Sequence, residues 1–301
     1  MRAYIPIHNS GAGKWIYKGY AKAWSALGYE VRFFSGISEI KDDGEYYVMC
    51  IDAQVDNENF HILENSTATF VYTQPNVFPL PWRNHPNFQC HCRPDVIKKI
   101  NKLGKAKTWT FGHSTRFHSL WKKPLTVPLA FDDESYKDNQ PKEDIDVCFI
   151  GGAANNGFDT KMGIMSKTLE EFKDSGLKCA FHVNESISHE RESQILFSSK
   201  VALNIHDEYQ RVLGLDTNER TFKSLGCCGL LVSDEIDCLD SLFNGLPQTN
   251  DPQKMVKIIK ESLASFSADK LSEMKERTKS LVLKSHTYKN RVKALLNEQA
   301  T

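Results

Sequence analysis

The chain has no net charge to offer. Its 38 lysines and arginines are matched by 38 aspartates and glutamates over 301 residues, and the isoelectric point lies near 7.1. That balance excludes a whole-molecule electrostatic grip on nucleic acid or on an anionic membrane. Long apolar runs are missing as well. Nothing approaches the roughly 20 consecutive apolar residues of a membrane span, so no span is expected. The opening MRAYIPIHNSG has neither the apolar core nor the cleavage pattern of an export signal. Eight cysteines without such a signal predict reduced thiols and a cytoplasmic location. Repeats, heptads and low-complexity tracts are absent. Metal-ligand spacing is absent too. Cys90-His91-Cys92 sets ligands side by side, which suits a tetrahedral site poorly, and no second pair stands at zinc spacing. No metal is expected.

What is present is a globular composition, 40% hydrophobic and 25% charged, with length enough for two domains. Short apolar runs at 1–7, 30–34, 46–51, 69–72, 108–111 and 125–128 predict strands, with a helix at 14–27 spaced by Trp15, Ile16, Tyr20, Trp24 and Leu27 and closed by Gly28. Residues 132–144, DDESYKDNQPKED, are polar with little to bury and are the linker candidate. The pattern then restarts: a strand at 146–150, a small-residue loop at 151–157, a helix at 160–173 and a strand at 178–183. Helices close the chain at 251–265, 269–283 and 287–298. Strands alternating with helices predict parallel sheets covered on both faces.

The richest stretch is 200–234. It reads as a strand at 201–205, a polar loop, a helix opening at Asn218-Glu219-Arg220-Thr221-Phe222, and a strand at 229–232. A helix that follows a strand in such a unit starts at the carboxyl edge of the sheet, where its free N–H groups and dipole favour an anion. Arg220 adds a forked donor suited to phosphate. His206 stands at the preceding strand end, and Gly151 and Gly152 follow the first strand of the same half, where backbone can approach a ligand. In the first half the loop Asn9-Ser10-Gly11-Ala12-Gly13-Lys14 has similar chemistry. It is not a P-loop, because His8 replaces the first glycine and Trp15 the metal-binding hydroxyl. Thr73, Gln74 and His113 follow first-half strands, so they are candidates for the cleft, with His113 the candidate catalytic group. Lysines 98, 99, 102, 105 and 107 form a basic cluster, read as a solvated helix face or as a receiver of an anionic acceptor.

Two strand-first halves, each with a glycine-containing loop after its first strand, resemble a GT-B glycosyltransferase, and the second half is similar to the spore-maturation CgeB-type group. The residues that carry the likeness are Asp146-Val147-Cys148-Phe149-Ile150-Gly151-Gly152, Asn218-Glu219-Arg220-Thr221-Phe222, Gly229-Leu230-Leu231-Val232-Ser233-Asp234, and Ser285-His286-Thr287-Tyr288 with Arg291. Val127-Pro128-Leu129-Ala130-Phe131 resembles the segment before the interdomain linker.

The resemblance implies two Rossmann-like domains facing a cleft: an acceptor domain at 1–131, a linker at 132–144, a donor domain at 145–284, and a final segment at 285–301 returning to the first domain. It implies a nucleotide-sugar donor, UDP- or GDP-linked, held by Gly11, Gly13, Lys14, Gly151, Gly152, His206, Asn218, Glu219, Arg220, Thr221 and Lys223. Asn9, Ser10, Thr73 and Gln74 would line the acceptor side. The acceptor is open among a glycan, a protein, a small molecule and a modified nucleic-acid base. Many retaining members carry two glutamates that here fall on Leu215 and Lys223, neither acidic. A catalytically silent sugar-nucleotide or glycan-binding subunit, or an epimerase or phosphorylase of the same architecture, is the alternative reading. Metal-free transfer is expected, since the only DxD, Asp144-Ile145-Asp146, precedes its strand rather than following it.

Overall fold

The structure is a computed structural model that describes every residue except 10, 75–78, 81–82, 84–90, 113–114, 138–139, 154–159, 215 and 298–301. The chain forms two compact units, Met1–Pro128 with Tyr288–Thr301, and Leu129–Thr287. The first division thus falls at Pro128, ahead of the polar stretch at 132–144, and the return falls at Tyr288 rather than 285. The polar segment is fastened to the second unit by apolar and aromatic anchors that its composition hides. Phe131 and Tyr136 are buried, Phe131 pairs with Thr287, and the Tyr136 hydroxyl donates to Glu192 at 2.5 Å.

In the first unit, strands β1 (Arg2–Pro6), β2 (Glu30–Phe34), β3 (Tyr46–Ile51), β4 (Ala68–Tyr72), β5 (Ala106–Thr110) and β6 (Leu125–Thr126) pair in the order β2-β1-β3-β4-β5-β6, all parallel. Interior strands of a parallel sheet are covered on both faces, and Tyr46 to Cys50 are accordingly buried without alternation. Helices α1 (Gly13–Ala26), α2 (Phe60–Asn65) and α3 (Pro94–Lys102) cover the sheet with Ile16, Phe60, Val96 and Ile97 inward. Gly28 ends α1 at φ +89°, a conformation glycine adopts without strain. The C-terminal helix α11 (Tyr288–Asn297) lies on α1. A Cβ on Gly19 would come within 2.4 Å of the Tyr288 ring, so glycine there sets how closely the two helices approach.

In the second unit, β7 (Ile145–Gly151), β8 (Cys179–Val183), β9 (Ser199–Asn204) and β10 (Leu231–Ser233) pair in the order β10-β9-β7-β8, again all parallel. Helices α4 (Thr160–Lys173), α5 (His189–Ser198), α6 (Glu208–Leu213), α7 (Glu219–Cys227), α8 (Asp237–Leu242), α9 (Pro252–Ser265) and α10 (Ala268–Ser285) surround it. The core gathers Val147, Phe149, Val201, Leu203, Val232 and Ile259. Local chemistry starts the helices where expected: Asp251 caps α9 by accepting from Gln253 N at 2.9 Å, with Pro252 at its first position. The chain steps from β7 outward to β8, then crosses to β9 on the other side. The carboxyl ends of β7 and β9 therefore flank a reversal of strand order, the place where sheets of this kind hold ligands.

Among the described residues no helix is long and apolar enough to cross a membrane, and Cys50, Cys92, Cys148, Cys179, Cys227, Cys228 and Cys238 are free thiols.

Candidate active site

Arg220 joins the two strands that flank the reversal. It lies in the first turn of α7, and its side chain turns back across the carboxyl edge of the sheet. Nε donates to the Ile150 carbonyl of β7 at 2.8 Å. Nη1 donates to Asn204 Oδ1 of β9 at 3.0 Å and to the Ile205 carbonyl at 3.3 Å. The guanidinium lies over the Phe149 ring at 4.6 Å. Gly151 makes this possible: a Cβ there would stand 2.0 Å from Nη2. Burial pulls the Arg220 pKa below its ordinary value, while Asp207, Glu219, Asp234 and Glu192 oppose the shift. Arginine starts so high that it stays charged.

A chain of hydrogen bonds runs from Arg220 into the core. Asn204 accepts from Arg220 at Oδ1 and donates from Nδ2 to the Thr221 hydroxyl at 2.7 Å. Thr221 and Thr217 share a hydroxyl contact, and Thr217 Oγ1 lies 2.8 Å from His206 Nε2. His206 Nδ1 is 2.5 Å from Asp234 Oδ1, and the His206 backbone N–H donates to Asp234 Oδ2 at 2.8 Å. With Nδ1 as the donor nitrogen and Nε2 as the acceptor, every link is satisfied in one direction, from Asn204 through both threonines to His206 and the carboxylate. The histidine and the amide donors keep the Asp234 carboxyl below its usual range despite burial, and Arg211 adds its charge at 3.7 Å. The network thus ties the loops after β9 and β10 to the start of α7 and fixes Arg220 at its outer end.

Several expected ligand contacts take other roles. His206 and Thr221 are wholly buried, so their side chains hold the edge together rather than face a ligand. Asn218 precedes α7 without capping it; its Nδ2 donates to Asn204 Oδ1 at 3.1 Å instead. Lys223 does not add free charge at the edge. It pairs with Glu192 of α5 at 2.5 Å and lies over the Tyr136 ring, and the surrounding carboxylates hold its pKa up against burial. Burial raises the Glu219 carboxyl above its usual range, which eases the company of an anion. Gly152 is exposed beside half-buried Gly151. Two cations that composition did not single out complete the edge. Arg211 of α6 reaches Asp234 without a hydrogen bond from its Nε, and Lys161 of α4 pairs with Asp207 at 2.7 Å. Three cations thus stand against Asp207 and Asp234. Their signal in the sequence was position after β9 and inside α4; Asn204 and Asp234 end the strand motifs.

In the first unit, Asn9 and Gly11 are exposed, Gly11 at φ +55°. Gly13 backs onto His8, and Lys14 lies over the exposed Trp15 ring at 5.3 Å. Thr73 is buried, with its hydroxyl on the Trp109 carbonyl at 3.2 Å, while the Gln74 backbone N–H donates to Asp52 at 3.0 Å. Ser10 and His113, and with His113 the candidate catalytic group, fall outside the described residues, as does Leu215. The DxD carboxylates are taken at the amino edge of β7: Asp146 by Lys200 at 2.7 Å, and Asp144 by Lys178 and Lys200. Among the described residues no group of three His, Cys, Asp or Glu could hold a metal ion.

Residues 148–297 match the family model described as glycosyl transferase-like. The chain carries a glycosyltransferase domain on a GT-B fold. No curated protein sequence matches it. Solved structures align along nearly its whole length at low identity. An alpha-glucosyltransferase solved with UDP-glucose and DNA containing an abasic site has a TM-score of 0.62 at 12% identity, over 99% of this chain and 98% of that one. The same activity solved with UDP and a 13-mer DNA containing an HMU base gives 0.61 at 12%, over 100% of each. BGT of T4 phage, solved with UDP and Mn2+, gives 0.54 at 14% identity, over 99% and 98%.

Proposed function

We propose that the second unit of this glycosyltransferase binds the diphosphate of a UDP-sugar at the carboxyl ends of β7 and β9, and that the enzyme transfers the sugar to an acceptor hydroxyl without a metal ion. The observation that carries this is Arg220: a charged fork spanning β7 and β9, fixed by three outgoing hydrogen bonds, with Gly151 kept small beside its Nη2. The sugar–phosphate bond breaks as the acceptor oxygen attacks, and negative charge gathers on the departing diphosphate. A pre-set cation there lowers the barrier because it need not reorganise. Arg211 and Lys161 add positive charge from α6 and α4, each already facing a carboxylate that a diphosphate would compete with. UDP is preferred over GDP because the structures of similar fold quoted above hold UDP or UDP-glucose.

The test is calorimetry with UDP and GDP on the wild type and on Arg220→Ala. One charge-assisted pair is worth about 1.5–3 kcal/mol, so UDP affinity falls roughly tenfold to a hundredfold. Unchanged affinity sinks the assignment.

The acceptor reading that the comparisons favour is a hydroxyl on a modified nucleic-acid base, since the two comparison structures with the higher TM-scores hold DNA. Sugar transfer from labelled UDP-glucose to DNA containing hydroxymethylated pyrimidines, set against unmodified DNA, tests it. Equal and negligible incorporation in both excludes it.

A further inference from the structure

The neutrality of the chain hides a local imbalance. Residues 96–131 contain Lys98, Lys99, Lys102, Lys105, Lys107, Arg116, Lys122 and Lys123 and not one aspartate or glutamate. The fold brings the two ends of this block together at the amino edge of the first unit's sheet, where α3 feeds β5 and the turn at 119–123 feeds β6. Asn101 is the clasp. Its Nδ2 donates to the Leu120 carbonyl at 2.9 Å, and its Oδ1 accepts from Lys122 N at 2.9 Å. Between the two segments lies a groove of about 300 Å³, floored by Ile100, Leu103 and Ala106 and edged by Gly104, Lys122 and Lys123.

Part of this charge is engaged within the unit: Lys105 Nζ donates to the Ser66 carbonyl and Lys107 Nζ to the Leu295 carbonyl, each at 2.7 Å. Lys98, Lys102, Lys122 and Lys123 are exposed, and none has an ion pair or hydrogen bond through its side chain among the described residues. Lys98 and Lys102, one helical turn apart, share a face of α3, a like-charge spacing that costs an isolated helix a few tenths of a kcal/mol. Lys102 repays some of that at the helix C-terminus, but no such account covers Lys122 and Lys123. Lys123 even holds φ at +49°, where a side chain is disfavoured and glycine is the ordinary choice.

We infer that this groove on the amino edge of the first unit is a docking surface for the phosphodiester backbone of nucleic acid, separate from the edge that holds the donor. Several exposed lysines on one unit suit a polymer of anions better than a single small one, and lysines without side-chain partners gain from counterion release without breaking an existing pair. Contacts from lysine charge to phosphate position the polymer without reading sequence. The choice of DNA as the polymer rests on the acceptor reading above; the surface itself does not depend on the transfer chemistry.

The experiment replaces Lys98→Gln, Lys102→Gln, Lys122→Gln and Lys123→Gln together in the full chain. The control makes the same charge change on the second unit with Lys254→Gln, Lys257→Gln, Lys260→Gln and Lys270→Gln. Affinity for a short fluorescein-labelled DNA duplex is followed by anisotropy between about 50 and 200 mM salt, the range in which backbone contacts show most. Four lost phosphate contacts should lower the log–log salt slope by about 3 to 4 and weaken binding at least tenfold at the lower salt. The control should bind like the wild type, and UDP affinity by calorimetry should be the same in all three. The inference is overturned if duplex affinity is unchanged, if the control loses as much, if the wild type does not bind at all, or if binding to phosphatidylserine vesicles falls while binding to DNA does not. A wild type that binds duplex but not UDP would keep this surface and sink the donor site instead.

Discussion

Replacing Gly151 with alanine tests the donor edge through a steric effect rather than through deletion of charge. The backbone of Gly151 is not left-handed, so alanine is admissible there on conformational grounds. Its methyl group would nonetheless lie 2.0 Å from Arg220 Nη2 and 2.6 Å from Cζ. The guanidinium must leave, and with it go the bonds to Ile150, Asn204 and Ile205 and the contact with Phe149. Hydrogen bonds from a charged group are worth about 1.5–3 kcal/mol each when lost without replacement. Arg220 is only half-buried and can recover some of that in water, so a net cost to stability of about 2–4 kcal/mol is expected. UDP affinity should fall by roughly tenfold or more, as for loss of one charge-assisted pair.

The decisive comparison is a double-mutant cycle. If Gly151 matters because of Arg220, adding Gly151→Ala to Arg220→Ala should change UDP affinity by less than about 0.5 kcal/mol. Calorimetry on the four proteins gives the result directly. Full additivity would mean that Gly151 acts on UDP affinity independently of Arg220. Wild-type affinity in Gly151→Ala would mean that the small residue at 151 is not needed for Arg220 to hold the donor.

Further outcomes follow from the same geometry. Lys223→Ala leaves the partly buried Glu192 with only the Tyr136 hydroxyl, so stability should drop by about 1–3 kcal/mol while UDP affinity stays within twofold; a large affinity loss with intact stability would return Lys223 to the ligand. Burial pushes the Asp216 carboxyl up to about 6, so the folded state keeps a proton that the unfolded chain releases near pH 4, and stability is lost as pH rises from about 4 to 6. Asp216→Asn should therefore stabilise by up to about 3 kcal/mol at pH 7.5 and by little at pH 4, and equal Tm gains at both pH values would refute it. Gly19→Ala drives a methyl into the Tyr288 ring and should cost about 1–3 kcal/mol by loosening α11 from α1; an unchanged Tm would deny that this contact is tight. Transfer should persist in EDTA, because arginine and lysine supply the charge at the edge; complete loss restored by Mn2+ would replace that account.

Where the sequence could be read, periodicity and strand-end position did the reading. The β7 and β9 runs are buried almost throughout, so they appear as apolar blocks, and the residues that follow them fall at the ligand edge by topology alone. Arg220 was legible for that reason. The direction of a side chain was not. Lys223 sits one turn beyond Glu219, and nothing in its spacing says that α5, a helix with weak periodicity, brings Glu192 against it. His206 was legible as an edge residue but not as a buried one, because its partner Asp234 lies 28 positions away, just past the end of another strand. The polar stretch at 132–144 misled on the division for a related reason: Phe131 and Tyr136, which pin it, are outnumbered by charges that simply face water.

In the proposed reading, the buried relay would hold Arg220 ready for a leaving diphosphate before the donor binds. A lone arginine at a helix start would be mobile, and ordering it on binding would cost conformational entropy. Here that cost is met during folding, because Asp234 fixes His206, His206 and the two threonines fix Asn204, and Asn204 with the Ile150 carbonyl fixes the fork. Thr217→Val, which keeps shape and removes one hydroxyl, isolates this effect. It breaks the relay at its middle, removes the hydroxyl that donates to His206 Nε2 and leaves that nitrogen only Asn204 Nδ2 at 3.3 Å, and touches no atom of the edge itself. UDP should bind more weakly by about threefold to tenfold, with the loss appearing in the entropy of binding, since a looser Arg220 must then be ordered by the ligand. Calorimetry separates the two parts. An affinity equal to wild type, at a measurable loss of Tm, would make the relay a matter of stability alone and leave the placement of Arg220 to its bond with Ile150.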